Sequence, residues 1–313
     1  MSITVVGSIA FDAVRTPFGE RARMLGGAAS HFALAASMLD EVNLVGPVGD
    51  DFGDAEMAVL RTRGSNTDDV EHVSGGKTFF WKGTYHDDMN TRDTLETQLN
   101  VFEHFEPKLS ERSRGADVLF LANIQPGLQL QVRRQCEAAR FVALDSMNLW
   151  IEIARPELEQ IISEVDCLIL NDEELRQLTG ASTTVAAARE VLQGGPSIVV
   201  AKQGEYGSAL ITADDFFALP AYPLERVVDP TGAGDTFAGG FVGLIASQIG
   251  RGLDGDVLRN AMAYGTALAS FNVERFGTEA LGSDDVTGDD VRRRVEDLWR
   301  FGRFERLDVS LRT

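Results

Sequence analysis

Residues 229–236 read Asp-Pro-Thr-Gly-Ala-Gly-Asp-Thr, and residues 237–244 continue with the small, apolar run Phe-Ala-Gly-Gly-Phe-Val-Gly-Leu. This pattern predicts a tight glycine turn that leads directly into a buried helix. Backbone N–H groups at such a turn point the same way, and the helix N-terminus adds partial positive charge, so the turn is suited to hold an anion. A carboxylate at this place, Asp235, is expected where a nucleophile beside a phosphate must lose a proton. The alternative is an ordinary turn in which Asp235 caps the helix.

Short apolar runs alternate with helical patterns along the rest of the chain. Strands are predicted over residues 4–7, 43–48, 118–122, 141–145, 167–171 and 197–201. The last four runs are apolar without alternation, which is typical of parallel strands buried on both faces. Helices are predicted over residues 29–39, 54–63, 128–139, 156–165, 173–178, 185–193, 254–271 and 286–301. The alternation predicts an α/β fold, a doubly wound, mostly parallel sheet flanked by helices, in one domain spanning residues 1–313.

Two segments, Phe11–Leu25 and His72–Phe102, interrupt this alternation. Both are rich in Thr, Phe and polar residues, and residues 78–85 alternate along Thr-Phe-Phe-Trp-Lys-Gly-Thr-Tyr. We interpret them as antiparallel strands of a small β-sheet with one face toward solvent. The other face of so small a sheet needs a cover, so we expect a lid over a substrate and pairing of the lids in a homodimer. The alternative is an edge hairpin with no functional role.

The composition limits the class of partner. The formal net charge is −19 and the pI is about 4.6, which argues against binding to nucleic acid or to anionic membranes, because both require basic patches. No stretch approaches the ~20 apolar residues of a membrane span. The brief apolar start at residues 3–9 lacks a basic leader and is predicted to be a strand. Two cysteines, Cys136 and Cys167, fit a reducing compartment, so we expect a cytoplasmic protein.

Several motifs, in order along the chain, resemble one known family. Residues 229–237 closely match the signature D-[ST/P]-T-G-A-G-D-x-F of the ribokinase-like, or phosphofructokinase-B type, sugar and nucleoside kinases. Further matches lie at residues 5–12 (an opening strand and an aspartate), 26–29 (a Gly-Gly loop), 171–174 (N-x-x-E) and 202–207 (K-x-G-x-x-G). The resemblance implies a ribokinase-like fold with a small sheet as the lid.

The same resemblance implies a phosphoryl-transfer site at the glycine turn. Asp235 is then the general base, and the backbone N–H groups of Gly232, Ala233 and Gly234 form an anion hole for the phosphoryl group. The glycines allow the backbone to approach phosphates without an intervening β-carbon. Thr231, in the same signature, is expected beside the nucleotide.

On the nucleotide side, the resemblance implies that ATP and Mg²⁺ bind, with K⁺ as a further candidate. Asn171 and Glu174 are close neighbours if a helix begins there, and Glu174 is expected to hold Mg²⁺ through water. The alternative is that Asn171 caps the helix. The remaining nucleotide-binding candidates are Lys202, Gly204 and Gly207 near the phosphates, and Gly265, Asn272 and Gly277 near the adenine, where helix packing is the alternative.

The substrate side is expected at the N-terminal motifs. Asp12 follows the first strand, at the sheet edge where α/β folds bind ligands, and by resemblance accepts hydrogen bonds from sugar hydroxyls. Gly26 and Gly27 are expected to let a loop close over the substrate. His31 stands where many relatives have Asn, and it is either a substrate ligand or a packed residue. A second departure follows Asp145, where the Arg of a D-x-N-x-R pattern is missing.

The sequence therefore predicts an ATP-dependent sugar kinase that transfers the γ-phosphate of ATP to a hydroxymethyl group. A nucleoside kinase of the adenosine or cytidine type is the alternative, marked by a base stacked on lid aromatics such as Phe79, Trp81 or Tyr85. A non-catalytic sugar sensor is disfavoured by Asp235, because a sensor needs no base. The absence of G-x-G-x-x-G after the first strand disfavours a dinucleotide-dependent oxidoreductase.

Overall fold

The structure is a computed structural model that describes residues 1–301, so residues 302–313 of the predicted domain lie outside it. The strands are β1 (Ser2–Val6), β2 (Ala10–Thr16), β3 (Gly19–Gly26), β4 (Glu41–Gly49), β5 (Val70–Val73), β6 (Phe79–Tyr85), β7 (Arg92–Gln98), β8 (Val118–Leu121), β9 (Phe141–Asp145), β10 (Cys167–Asn171), β11 (Ile198–Lys202), β12 (Ser208–Ile211) and β13 (Phe216–Leu219).

The helices are α1 (Ala28–Ala36), α2 (Asp54–Arg61), α3 (Glu111–Arg114), α4 (Pro126–Gln135), α5 (Asn148–Ile153), α6 (Arg155–Ile162), α7 (Asp172–Thr179), α8 (Thr184–Val191), α9 (Ala233–Gln248), α10 (Gly255–Asn272) and α11 (Gly288–Phe301). None of the helices within residues 1–301 combines the length and the apolar character that crossing a membrane requires.

Nine strands form the main sheet in the order β13-β12-β11-β10-β9-β8-β1-β4-β5. The strands from β11 to β5 run parallel, whereas β12 and β13 add an antiparallel hairpin at one edge. Buried apolar side chains lie on both faces of the sheet, under the flanking helices. This is the doubly wound architecture expected from the strand–helix alternation. The edge hairpin, β5 and α5 were not predicted, because each is short.

Helix α9 packs between α1 and α10 at very short range. A β-carbon added at Gly239 would lie 2.4 Å from the carbonyl oxygen of Phe32, and one at Gly240 would lie 2.8 Å from the Cα of Gly265. Close backbone approach of this kind requires glycine. The predicted buried helix therefore exists, and its middle is fixed by close backbone contacts with two neighbouring helices.

The small sheet, which we call the lid, has the strand order β3-β2-β6-β7. The β2–β3 and β6–β7 pairs are antiparallel as expected, but the two hairpins are joined through a parallel β2–β6 pair. The lid strands of the second segment cover residues 79–98. His72 and Val73, predicted in the lid, belong to β5 of the main sheet because they pair with β4.

Candidate active site

The turn at residues 229–232 is held by buried hydrogen bonds. Asp229 accepts bonds from the backbone N–H of Thr231 through Oδ1 and of Gly277 through Oδ2, each at 2.9 Å. Gly232 has φ 73° and ψ 4°, a left-handed conformation that disfavours a side chain, and helix α9 begins at the next residue. Asp229 thus links the turn to Gly277, which lies far away in the sequence and supports the turn through its N–H.

Asp235 lies in the first turn of α9, among other charged groups. Burial and the nearby carboxylate of Asp145 raise its pKa to about 7, although the positive charges of Lys202 and Arg92 act in the opposite direction. A carboxylate with a pKa near the working pH is suited to accept a proton and release it again. The geometry therefore places a carboxylate of raised pKa in the first turn of α9, where the N–H of Ala233 donates to the carbonyl oxygen of Pro230 at 3.2 Å.

Lys202, at the carboxyl end of β11, links the turn to two further acids. Its Nζ donates to Oδ2 of Asp145 at 3.0 Å. Burial lowers the pKa of Lys202, but the carboxylates of Asp145, Glu174 and Asp235 outweigh burial and raise it. A β-carbon at Gly234 would lie 3.1 Å from the same Nζ. The lysine charge therefore lies directly at the glycine turn.

Asn171 and Glu174 form a reciprocal cap at the start of α7. The Asn171 side chain accepts from the N–H of Glu174 at 2.7 Å, and the Glu174 carboxylate accepts from the N–H of Asn171 at 2.9 Å. These two bonds form the helix cap that the sequence offered as the alternative role of Asn171. Burial nevertheless raises the pKa of Glu174, and the charge of Lys202 opposes that rise, so the carboxylate also lies near the Lys202–Asp145 pair.

A cavity of about 460 Å³ opens beside the turn. Its wall includes Ala233 and Gly234 at the start of α9, Lys202, and the 204–208 turn with Gly204 and Gly207. One face of α10 and residues 221–227 supply apolar surface, and residues 88–90 of the β6–β7 turn close one side. The volume and the mixed lining suit a small-molecule ligand. The cavity therefore offers an apolar compartment that ends at the proposed anion hole.

Gly265 and Asn272 do not line this cavity. A β-carbon at Gly265 would lie 2.8 Å from the carbonyl oxygen of Phe237, so Gly265 allows α10 to pack on α9. Asn272 donates through Nδ2 to the carbonyl oxygen of Thr231 at 2.8 Å, and this hydrogen bond stabilises the turn. The α10 residues that face the cavity are instead Thr266, Ala269, Ser270 and Val273.

His31 lies beneath the glycine turn, fully inside the protein. Its Nδ1 is 3.1 Å from Oδ1 of Asn272, and a β-carbon at Gly232 would lie 2.4 Å from the imidazole ring. Burial lowers the pKa of His31 to about 4, so the ring is neutral near pH 7 and its Nδ1–H donates to Asn272. The sequence left open whether His31 is a substrate ligand or a packed residue. Its contacts match a packed residue that supports the turn.

Asp12 belongs to lid strand β2, and is not at the edge of the main sheet. It packs against the glycine loop, since a β-carbon at Gly26 would lie 1.9 Å from its Oδ2. Gly27 has φ 94° and caps α1. Burial and the charges of Asp229 and Asp235 raise the pKa of Asp12 to about 7, opposed by a backbone hydrogen bond from Gly27 and by Arg92. Asp12 thus lies within electrostatic reach of the catalytic candidate.

Three lid residues lie near the site: Trp81 and Tyr85 are among the aromatics named from the sequence for stacking of a base, whereas Arg92 was not singled out. Tyr85 is buried, with its Oη 3.3 Å from Oγ1 of Thr231. Trp81 is the direct strand partner of Asp12, and Arg92 is the direct strand partner of Tyr85. The alternation of β6 was the sequence signal for Trp81 and Tyr85. The pairing register of β6 with β2 and β7, which brings in Arg92, depends on tertiary structure.

The donors near the cavity fit Mg²⁺ bound largely through phosphates and water. Within residues 1–301, no cluster of three or more Asp, Glu, His or Cys side chains is arranged to hold a metal ion. Mg²⁺ commonly binds through one or two carboxylates, substrate phosphates and several waters. Glu174 and Asp145, beside the anion-binding turn, have the chemistry for that limited role.

Comparisons with known proteins agree with this geometry. A family model for pfkB family carbohydrate kinases matches residues 2–285. The chain is 32% identical over 251 residues to a cytidine kinase of Thermococcus kodakarensis, which covers 77% of this chain and 87% of that protein. It is 28% identical over 275 residues to a nucleoside kinase of Methanothermobacter thermautotrophicus, with 86% and 84% covered.

Among solved structures, the nucleoside kinase of Methanocaldococcus jannaschii, described as an archaeal member of the ribokinase family, has a TM-score of 0.76. The two chains are 22% identical, and the match covers 95% of this chain and 98% of that one. The fold is thus the ribokinase-like fold, with a large mostly parallel sheet and a smaller lid sheet. Taken with the family match over nearly the whole chain, this shows that the protein belongs to the pfkB family of carbohydrate kinases, which are ATP-dependent phosphotransferases acting on hydroxyl groups.

Proposed function

We propose that this protein is an ATP-dependent nucleoside kinase that phosphorylates the 5′-hydroxymethyl group of its substrate. The observation that carries the proposal is an aromatic ring beside the carboxylate proposed to bind sugar. Trp81 and Asp12 are paired residues of adjacent parallel lid strands, and paired residues project from the same face of a sheet. A ribose held by Asp12 would therefore place its base close to the indole.

The surroundings of Trp81 suit a stacking platform. A β-carbon at Gly83 would lie 2.3 Å from the indole ring, so the ring crosses over a glycine and lies along the lid. The ring is half-buried and packs in a cluster with Tyr85, Met24 and Met89. Stacking of a base on an aromatic side chain contributes ~1–3 kcal/mol. In contrast, Phe79 packs edge-on against Phe102, 6.0 Å away, and is not available to a base.

The relatives support the same acceptor. The two sequence relatives described above are named as a cytidine kinase and a nucleoside kinase. This reverses the order of the two acceptors derived from the sequence, where a free sugar came first. A free sugar with a terminal hydroxymethyl group remains the second candidate, because Asp12 and the Gly26–Gly27 loop contact only the sugar part of either substrate.

The proposed chemistry follows from the position of each group. Asp235 accepts the proton of the hydroxyl group as its oxygen attacks the γ-phosphorus of ATP. The N–H groups of Gly232 and Gly234 donate to the phosphoryl oxygens, and that of Ala233 shares its bond to the carbonyl oxygen of Pro230 with them. The Asp229 and Asn272 bonds fix the turn before the reaction. Lys202 provides positive charge at the same turn. Bound Mg²⁺ would neutralise phosphate charge, held through water by Glu174.

The test is a coupled ATPase assay on purified protein with nucleosides, pentoses, hexoses and keto-acid sugars, with and without K⁺. We expect Asp235→Asn to lose at least ~100-fold in kcat while it still binds ATP. Trp81→Leu discriminates the acceptors: KM for a nucleoside is expected to rise at least ~5-fold, whereas KM for a free sugar stays unchanged. An Asp235→Asn variant with near-normal turnover would remove the carboxylate from its role, and turnover of sugars alone would replace the nucleoside proposal.

The lid is further proposed to close over the acceptor and to pair with a second lid in a homodimer in the cytoplasm. Edge strand β7 is exposed along its whole length, and Leu95 and Leu99 are among the large exposed apolar side chains. Closure would exclude water from the phosphoryl group. Acceptor binding is expected to slow hydrogen exchange in residues 10–26 and 79–98, but not in α11. Equal exchange with and without the acceptor would contradict closure, and a monomer by sedimentation at micromolar concentration would contradict the dimer.

A further inference from the structure

The proposed phosphoryl site is rich in acids and short of free cations. The carboxylates of Asp12, Asp145, Asp229, Asp235 and Glu174 lie in or around it. Lys202 is the one basic residue of the site that the sequence predicted, and it is already paired with Asp145 at 3.0 Å. Residues 146–150, Ser-Met-Asn-Leu-Trp, contain no arginine. ATP brings several negative charges into this surrounding, so a positive side chain that acts beside Mg²⁺ and Lys202 would favour transfer.

The lid contains basic residues, and most of them are turned away from the site or engaged. Arg21 pairs with Glu279 at 3.0 Å, and the guanidinium of Arg23 lies near Asp51. Arg15 lies one residue from Val14 on β2, so alternation places it on the lid face opposite Asp12. Lys82, next to Trp81 on β6, lies on that opposite face by the same argument.

Arg92 is the basic lid residue that faces the site. It begins β7 and is the direct strand partner of Tyr85. Its guanidinium lies 5.6 Å from the centre of the Trp81 ring, and it forms no ion pair with any of residues 1–301. Tyr85 in turn contacts Thr231, the residue before the glycine turn, at 3.3 Å. The strand register therefore brings the Arg92 end of β7 over the turn.

The electrostatics of the site agree with this position. The positive charge of Arg92 lowers the pKa of Asp12 on the acceptor side, and it lowers the pKa of Asp235 at the turn. It also lowers the pKa of Glu174 on the nucleotide side. The charge of Arg92 therefore acts on carboxylates of both the acceptor side and the nucleotide side, in agreement with the position that the strand register gives it.

We propose that Arg92 contacts the transferring phosphoryl group and is a catalytic residue supplied by the lid. This inference rests on the proposed function. As the bond from the acceptor oxygen to the γ-phosphorus forms, the bond to the bridging oxygen of ADP breaks, and ADP leaves with that electron pair. The hydroxyl proton moves to Asp235, while Arg92 stays protonated and donates to the phosphoryl oxygens. Because Arg92 is carried by the lid, the site is complete only when the lid is closed.

The test compares Arg92→Ala and Arg92→Lys with Arg15→Ala, a control that removes the same charge from the opposite face of the same lid. Binding is measured calorimetrically with ADP and with the non-hydrolysable ATP analogue AMP-PNP, both with Mg²⁺ and the acceptor present. We expect Arg92→Ala to weaken AMP-PNP binding ~10-fold and to leave ADP binding unchanged, because ADP lacks only the γ-phosphate. We expect kcat to fall ~100-fold or more, with partial recovery in Arg92→Lys. Arg15→Ala is expected to behave as wild type.

Two results would overturn the inference. One is an Arg92→Ala variant with the kcat and the AMP-PNP affinity of Arg15→Ala. The other is an equal loss of ADP and AMP-PNP affinity, which would show that the substitution only distorts the neighbouring turn at residues 88–90 in the cavity wall. If the wild-type protein phosphorylates no acceptor, the proposed function fails, but the binding comparison still decides whether Arg92 contacts the γ-phosphate.

Discussion

Replacing the proposed base, Asp235→Asn, is expected to make the protein more stable at pH 8 as well as inactive. The pKa of Asp235 is raised from its ordinary value of 3.8 to about 7, first by burial and then by the charge of Asp145. The folded state thus disfavours the ionised carboxylate that it needs for catalysis. Asparagine has nearly the same shape and carries no charge, so it removes this cost.

The size and the pH dependence of the effect follow from linkage. Each pH unit between the two pKa values corresponds to ~1.4 kcal/mol, so a pKa of about 7 corresponds to at most ~4 kcal/mol. Partial solvent access and the imperfect fit of the amide reduce this, and we expect a gain of ~1–3 kcal/mol at pH 8. Between the ordinary pKa and about 7, the folded state binds more protons than the unfolded state, so the wild type loses stability as pH rises. The gain from Asp235→Asn is therefore expected to shrink as pH falls from 8 to 5.

The assay is urea unfolding of the wild type and Asp235→Asn at pH 5, 6, 7 and 8, without nucleotide. A matched control is Asp285→Asn, because Arg275 lowers the pKa of that exposed carboxyl and the sign of its effect is reversed. A free energy of unfolding that is equal for the wild type and Asp235→Asn at pH 8, or a gain that does not depend on pH, would refute the reasoning. It would show that Asp235 is ionised at no cost and has an ordinary pKa.

Three further substitutions test the support of the site. Gly232→Ala is expected to lower the free energy of unfolding by ~2 kcal/mol or more, because the backbone there is left-handed and the new β-carbon overlaps the ring of His31. A double variant with His31→Ala should recover part of this loss. Strictly additive effects of the two substitutions on the free energy of unfolding would contradict the contact. Gly26→Ala displaces the carboxylate of Asp12, so KM for the acceptor should rise more than KM for ATP, and equal rises in steady-state assays would disprove this. Glu174→Ala should lower the free energy of unfolding by ~1 kcal/mol, because the helix cap is lost. Glu174→Gln should keep the cap and raise only the Mg²⁺ concentration needed for half-maximal activity. A Glu174→Gln variant as unstable as Glu174→Ala would show that the cap needs the charge.

The sequence alone was sufficient for the elements whose signals are local. The glycine turn, the buried helix after it and the apolar parallel strands follow from residue order and periodicity over a few residues. The N-cap role of Asn171 was likewise readable as a local alternative, because its partner Glu174 is three residues away.

The parts that depend on distant contacts could not be derived in this way. His31 and Asn272 are separated by 241 residues, and only the packing of α1 against α10 brings them together under the turn. The motif position of His31 left contact with substrate and packing both open, and the burial of its ring favours support of the turn. Arg92 has no distinguishing neighbours in the sequence. Its importance comes from the β6–β7 register, which contains a bulge at Lys82–Gly83 that alternation does not predict.

The glycine contacts of α9 have a consequence for how acceptor specificity can change. Since backbone atoms of α9 approach α1 and α10 closely at Gly239 and Gly240, this interface has no room for larger side chains at those positions. Mutational libraries aimed at this interface should yield mostly inactive variants. The lid, in contrast, carries the residues proposed to face the acceptor, on strands with exposed positions. New acceptor preferences should therefore be selectable in the laboratory from variation in β2, β6 and β7 with Arg92 kept, while the geometry of the glycine turn is inherited unchanged.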